Sequence, residues 1–137
     1  MRAAPARRAV VAVAAITLTL TACSTEAPTG FCDQFASLES LNQELSAAGT
    51  DDPDDVTPRL EAVAAALDEV EAPADVADSF TVYATALRNY TDAAGDALAD
   101  LEHVDQEAIA AATAAMTSEE TAGARAELAG YTAQHCG

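Results

Sequence analysis

The sequence predicts an all-α protein, an antiparallel bundle of four to five amphipathic helices in a single domain. Hydrophobic residues make up 50% of the 137 residues, but much of that share is alanine, the strongest helix former, and aromatic residues contribute only 4%. Strand-forming residues are too scattered to alternate over a useful length, whereas apolar residues recur every three or four positions from residue 31 onward. These observations favour helices that pack around a core of small side chains.

The first 22 residues are predicted to be a signal peptide. Residues 1–8 carry three arginines and no acid, and a charge-free apolar run follows from Ala9 to Leu20. This run is shorter than the roughly 20 residues that a membrane-spanning helix needs, so a permanent single-span anchor is the less favoured interpretation. Arg7 and Arg8 lack the flanking pattern of a twin-arginine signal, which favours ordinary Sec export.

The leader ends in Leu20, Thr21, Ala22 and Cys23, which resemble the bacterial lipobox: an aliphatic residue, a small residue, Gly or Ala, and then cysteine. The resemblance covers only the leader. It implies cleavage between Ala22 and Cys23, a thioether-linked diacylglycerol on Cys23, and acylation of the new amino terminus. Because two or three acyl chains anchor a protein stably, the expected location is the extracytoplasmic face of the cell membrane, with Cys23 as the lipid anchor.

Acidic residues dominate the charge of the chain. The formal net charge is −17, all 23 acids follow Cys23, and there is no lysine. Removal of the leader would leave Arg59, Arg88 and Arg125 against the 23 acids, a formal charge of −20. Nucleic-acid binding and electrostatic attraction to anionic lipid are therefore excluded, because both need clustered basic residues. We interpret the acidity as a solvated surface, with recruitment of cations or of a basic partner as the alternative.

Residues 23–30, the lipidated cysteine and a short tether, precede the helical domain, which covers residues 31–137. Fully extended, the tether from Ser24 to Gly30 reaches about 25 Å, which would hold the domain close to the membrane. The first helix has one apolar face, formed by Phe31, Phe35, Leu38, Leu41 and Leu45. Thr57 and Pro58 offer the second helix an N-cap and a first-turn proline. The apolar face of the second helix holds Leu60, Val63, Leu67 and Val70.

The third helix has the clearest pattern and is predicted to run from the region of Pro73 to about Leu101. Its larger residues form one seam of Val76, Phe80, Tyr83, Leu87, Tyr90 and Ala94. We interpret the aromatic residues of this seam as core rather than as the lining of a pocket.

Two cap signals define the last helices. Asp105 can cap a short fourth helix that runs through Met116. Its inward residues are predicted to be Val104, Ile109, Ala112 and Met116. Thr117 and Glu120 match a capping box that opens the last helix. The inward face of the last helix holds Ala124, Leu128 and Tyr131.

The two cysteines other than Cys23 are predicted to pair. An exported chain folds in an oxidising compartment, where two remaining cysteines most often form a disulfide. A bridge between Cys32 and Cys136 would close the bundle end to end. The alternative is a metal or redox site that adds Asp33 and His135, but no Cys-x-x-Cys or spaced histidine pair supports zinc, and no metal is predicted.

Two short segments, GFCDQF at residues 30–35 and GYTAQHCG at residues 130–137, resemble the small helical lipoproteins of high-GC Gram-positive bacteria. Those chains share a Phe-Cys entry, here Phe31-Cys32, and an alanine- and acid-rich helical middle. They close on Tyr-x-x-x-x-Cys-Gly, here Tyr131 to Gly137. The resemblance implies lipid anchoring and one end-to-end disulfide, and it brings no activity with it.

No catalytic residue and no cofactor are predicted. The chain lacks a Gly-x-Ser-x-Gly elbow and a Gly-rich phosphate loop. His103 lies among acids without a second histidine at metal-ligand spacing, so we interpret it as a loop residue. The acidic stretch from Asp51 departs from an EF-hand loop, which needs Gly and Glu where this chain has Val56 and Ala62.

Two functions are consistent with these features. The first is a non-catalytic, monomeric membrane-anchored lipoprotein that serves as an interaction or binding module for an unidentified envelope protein. The second is a carrier of a ligand or cation that uses the acidic surface or a pocket between helices. An enzyme is the least favoured class, because the sequence offers no catalytic set.

Overall fold

The computed structural model describes residues 30–48 and 52–137, and these residues form an all-α bundle without strands. The five helices are α1 (Phe31–Ala47), α2 (Pro53–Glu69), α3 (Ala77–Ala99), α4 (Gln106–Met116) and α5 (Glu119–His135). A 3-10 turn, Ala74–Val76, leads into α3. The predicted fold class is confirmed, with five helices. No helix within these residues is long and apolar enough to cross a bilayer. The predicted signal peptide, Cys23 and the tether up to residue 29 lie outside the described residues.

Helix α2 begins earlier than the sequence predicts. Asp52 is its N-cap, and a side-chain oxygen of Asp52 accepts a hydrogen bond of 3.0 Å from the backbone N–H of Asp54. Pro53 occupies the first helical position, and Pro58 therefore lies inside the helix. The prediction of a start at Thr57 and Pro58 is wrong because Asp52 and Pro53 supply the same cap-and-proline signal upstream.

The predicted cap of α4 is confirmed, and that of α5 is displaced by one residue. Asp105 accepts hydrogen bonds from the backbone N–H groups of Glu107 and Ala108 at 3.0 and 2.9 Å. The cap of α5 is Ser118, whose hydroxyl accepts from the N–H of Thr121 at 3.1 Å. Thr117 cannot fill this role because it already ends α4, where its N–H bonds to the carbonyl of Thr113.

Helix α3 is the central element of the bundle. It packs against α2, α4 and α5, while α1 packs against α2. Its last residue is Ala99, so the predicted end near Leu101 is slightly too late, and Leu101 is exposed. The fully buried large side chains are Phe31, Leu38, Val63, Tyr83, Leu87 and Leu128, which all lie on predicted inward faces.

Aromatic side chains fill the end of the bundle at which α1 starts and α5 ends. The ring of Phe31 meets the ring of Tyr131 edge-on at 5.8 Å, and Phe35 approaches Phe80 and Tyr83 at 6.5 and 6.3 Å. These contacts connect α1 to α3 and α5. The bulky core is therefore concentrated at this end.

The predicted disulfide joins Cys32 to Cys136 at the same end. Their Cα atoms lie 5.4 Å apart, although 104 residues separate them in sequence. The bridge fixes the start of α1 beside the end of α5. In this structure both thiols are consumed by the disulfide, and neither is a free ligand for the alternative metal site.

Candidate functional site

A cleft of about 720 Å³ opens at the opposite end of the bundle. Its walls are the second half of α1, the start of α2 and one side of α4, and it lies over the second half of α3. Helix α1 packs on α2 whereas α4 packs on α3 and α5, and the cleft lies between these two groups of helices. The volume falls within the range of roughly 300–1,000 Å³ that is usual for small-molecule sites.

Small side chains on α3 keep the cleft open. Ala93, Ala94 and Ala97 line it from the central helix, and none of them has the volume to reach the facing helices. The apolar walls are formed by Leu45, Val56, Leu60, Leu98, Ile109 and Met116. Leu98 and Met116 are only partly buried, so the cleft presents apolar surface to solvent. Burial of that surface by a ligand would be favourable by about 25 cal/mol per Å².

The aromatic seam of α3 divides between the core and the cleft. Phe80 and Tyr83 are buried as predicted, but Tyr90 is only partly buried and lines the cleft. The interpretation of all three residues as core is therefore confirmed for Phe80 and Tyr83, whereas Tyr90 packs against the core and also lines the cleft. The next residue of the seam is Ala94, and it lines the cleft beside Tyr90.

Glu39 and Arg125 form a charged edge of the cleft, and both approach Tyr83. The Tyr83 hydroxyl donates a hydrogen bond of 2.5 Å to Oε1 of Glu39. The guanidinium carbon of Arg125 lies 5.8 Å from the centre of the Tyr83 ring, within cation–π range. Burial raises the pKa of the Tyr83 phenol, the Glu39 hydrogen bond and charge raise it further, and the Arg125 charge opposes them.

Arg125 differs from the other two arginines of the described residues. Arg88 forms an ion pair with Asp68 at 2.7 Å, and Arg59 donates from Nε to the carbonyl of Asp55 at 3.2 Å. Arg59 and Arg125 form no ion pair with any residue that the structure describes. Arg125 in addition donates no side-chain hydrogen bond to those residues. The exposed guanidinium therefore lies over an aromatic ring, and its N–H groups are open to another acceptor.

The other residues that the sequence singled out lie apart from the cleft. His103 is an exposed loop residue whose Nδ1 lies 3.2 Å from both carboxylate oxygens of Asp100, as expected for a loop histidine. His135 stacks on the ring of Tyr131 at 4.3 Å, beside the disulfide. Across residues 30–48 and 52–137, no group of three or more His, Cys, Asp or Glu side chains is placed to hold a metal ion. Ala22 and Cys23 fall outside the described residues.

Comparison with protein-family models, with curated proteins and with solved structures finds no match to this chain. The candidate site is therefore defined by its own geometry alone. It is a largely apolar cleft over an alanine floor, with one aromatic ring inside and Glu39 and Arg125 at its edge, and its lining also includes Asn42, Gln43, Ser46 and Thr113.

The cleft residues were not identified from the sequence, although two signals pointed to them. The seam of α3 changes from large residues to alanine after Tyr90, which predicts a loss of packing volume at that end. Arg125 directly follows Ala124, an inward residue of α5, and is one of only three arginines after Cys23. Neither signal reveals which helices form the cleft, because that depends on how α4 sits against α3.

Proposed function

We propose that this chain is a lipid-anchored, non-catalytic binding module that holds an apolar small molecule in the cleft between α1, α2, α3 and α4. The observation that carries the proposal is the cleft itself, with its apolar walls and alanine floor. Of the two functions considered from the sequence, the carrier with a pocket between helices is the one that this feature supports. A site of this kind needs only a few polar groups to orient its ligand, and the edge at Glu39 and Arg125 offers them.

Anchoring through Cys23 is the second part of the proposal. The lipobox-like Leu20 to Cys23 and the preceding apolar run support it, as does the resemblance to small helical lipoproteins at both ends of the domain. The disulfide that this resemblance implies is present between Cys32 and Cys136. A structural disulfide fits an exported protein, because reducing compartments rarely maintain one.

The position of the cleft fits a protein anchored at its amino-terminal end. Five residues of α1 that line the cleft lie roughly 16–24 Å along the helix axis from Phe31, at 1.5 Å per residue: Asn42, Gln43, Leu45, Ser46 and Ala47. The cleft therefore opens at the end of α1 that is remote from the proposed anchor. Such a module would present its site to the extracytoplasmic space rather than to the bilayer surface.

Photo-labelling of the full-length chain in bacterial membranes tests the proposal. The probe is a neutral long-chain alcohol with a photoreactive diazirine in its tail, and mass spectrometry locates the labelled peptides. We expect saturable labelling of the second half of α1, the second half of α3, and α4. Saturation matters because probe dissolved in the membrane labels nearby protein in proportion to its concentration.

A pair of matched variants separates the cleft from the rest of the surface. Ala97→Phe places a large ring on the floor of the cleft, and we expect it to abolish the saturable labelling. Ala65→Phe makes the same change at an exposed position of α2 outside the cleft and should leave labelling intact. Labelling that is unsaturable, or that is equal in both variants, would show that the cleft does not bind apolar molecules.

A further inference from the structure

Arg125 defines the class of ligand that the cleft takes. We propose that the ligand is an anionic amphiphile, a single apolar chain that ends in a carboxylate, with the chain in the cleft and the carboxylate on the Arg125 guanidinium. This inference rests on the proposed function, because it assigns a headgroup to a ligand of the same cleft. It specifies the charge of the ligand, the orientation of the ligand in the cleft and the residue that recognises its headgroup.

The distribution of polarity in the cleft fits an amphiphile. Most of its lining is aliphatic or the Tyr90 ring, with Asn42, Gln43, Ser46 and Thr113 as uncharged polar residues. Arg125 is exposed and lies at the edge. A purely apolar ligand would leave this edge unused, and a fully polar ligand would lose its hydration against the apolar walls. A molecule with one apolar and one polar end satisfies both regions at once.

The state of Arg125 favours an anion over a neutral headgroup. Among the described residues it is the only basic side chain that lines the cleft, and none of their carboxylates pairs with it. The Tyr83 ring lies 5.8 Å from its guanidinium carbon, within the range of a cation–π attraction. A guanidinium held in this way can donate two parallel N–H bonds to one carboxylate, which is the pairing that arginine geometry favours.

Glu39 shares the edge of the cleft and is the main obstacle to an anionic headgroup. Its Oε1 already accepts the Tyr83 hydroxyl at 2.5 Å, so part of its hydrogen-bonding capacity is committed within the protein. The Glu39 carboxylate and the acidic surface as a whole repel anions at long range. Recognition must therefore come from the direct contact with Arg125. Removal of that one charge should lower the affinity of the cleft for a carboxylate ligand.

Three photoreactive probes with the same diazirine tail and different headgroups test the assignment: a carboxylate, an alcohol and a quaternary ammonium. The full-length chain is labelled in membranes, and the half-saturating concentration of each probe is measured for the cleft peptides. Each probe is compared only between protein variants, so differences in membrane partitioning cancel. We expect Arg125→Gln to raise the half-saturating concentration of the carboxylate about 3- to 10-fold and to leave that of the alcohol unchanged.

Two further arginine variants control for net charge and for folding. Arg59→Gln makes the same change in charge outside the cleft and should leave carboxylate labelling within about twofold of the wild type. Arg125→Lys retains a positive charge but not the planar fork, and it should recover part of the lost affinity. The alcohol probe reports whether the cleft of each variant is intact.

The outcomes separate the two proposals. If the alcohol does not label the wild-type cleft saturably, the proposed binding function fails, and this inference fails with it. If the alcohol labels the cleft but Arg125→Gln changes carboxylate labelling by less than about twofold, only the headgroup assignment is overturned. Saturable labelling by the ammonium probe that Arg125→Gln strengthens and Glu39→Gln abolishes would assign a cationic ligand instead.

Discussion

The hydroxyl of Tyr83 donates a 2.5 Å hydrogen bond to Oε1 of Glu39, and this bond joins the core of the bundle to the edge of its cleft. The Tyr83 ring is fully buried in α3, whereas Glu39 lies on α1 and lines the cleft. Tyr83 also lies within cation–π distance of Arg125 from α5. One core residue thus positions both charged groups that a ligand would meet.

Substitution of Tyr83 by phenylalanine should destabilise the protein. The change keeps the ring in place but leaves the half-buried Glu39 carboxylate without its donor, which should lower the free energy of unfolding by about 1–2 kcal/mol. Urea unfolding followed by far-UV circular dichroism measures this difference. Tyr131→Phe is the matched control: Tyr131 is also buried, and its hydroxyl has no hydrogen bond to the described residues. Equal losses in the two variants would contradict a specific role for the Glu39 bond.

Burial of Tyr83, together with its hydrogen bond to Glu39, predicts a loss of stability at alkaline pH. Burial, and then the bond to Glu39, raise the pKa of Tyr83 in the folded state, so the folded protein holds this proton more tightly than the unfolded chain. The contribution is fully present below the ordinary tyrosine pKa of about 10. Above that pH the Tyr83 phenol ionises in the unfolded chain but stays protonated in the folded protein. The free energy of unfolding should therefore fall by up to about 1.4 kcal/mol per pH unit.

Urea titrations at a series of pH values above about 9 measure this slope. Phenolate absorbance follows ionisation directly, because the chain contains no tryptophan to mask it. Tyr83→Phe should reduce the slope relative to the wild type. An unchanged slope in that variant would show that other groups control the alkaline transition.

The fold could be predicted from the sequence because its signals are local. The apolar faces of the helices and the Asp105 cap are each set by residues a few positions apart. The pairing of the two cysteines follows from the redox state of the compartment. The start of α2 was predicted wrongly because two cap-and-proline signals compete, and Asp52 with Pro53 comes first. Local patterns rank such alternatives poorly when both satisfy the same backbone groups.

The cleft could not be predicted in the same way, because it is a property of packing between distant segments. Tyr90 has the periodicity of a core residue, yet it is only partly buried and lines the cleft between α1, α2, α3 and α4. Arg125 belongs to no sequence motif. It stands out only in the structure, where it lines the cleft and no described carboxylate pairs with it. Sequence periodicity identifies which face of a helix is inward, but not whether the opposite helix reaches that face.

Removal of the disulfide should destabilise the bundle more than any single surface change. Replacement of both Cys32 and Cys136 by alanine releases a cross-link between residues 104 apart, which the chain-entropy model values at up to about 4–5 kcal/mol. Urea unfolding of the double variant and of the wild type, with and without a reducing agent, measures the effect. The reduced wild type should match the double variant, since both lack the same bridge. Wild-type stability that is insensitive to reduction would contradict a closed disulfide.

Substitution of Cys23 by serine should abolish lipid attachment and leave the chain unprocessed. A thioether to diacylglycerol requires the cysteine sulfur, and the proposed cleavage before residue 23 depends on that modification. Metabolic labelling with an alkyne fatty acid, together with intact-mass measurement and membrane fractionation, follows the anchor and the cleavage. Cys32→Ser is the matched control and should retain the label, because Cys32 is paired with Cys136 inside the folded domain. Fatty-acid label that persists in Cys23→Ser, or a wild-type chain that begins at a residue other than Cys23, would contradict the proposed anchor.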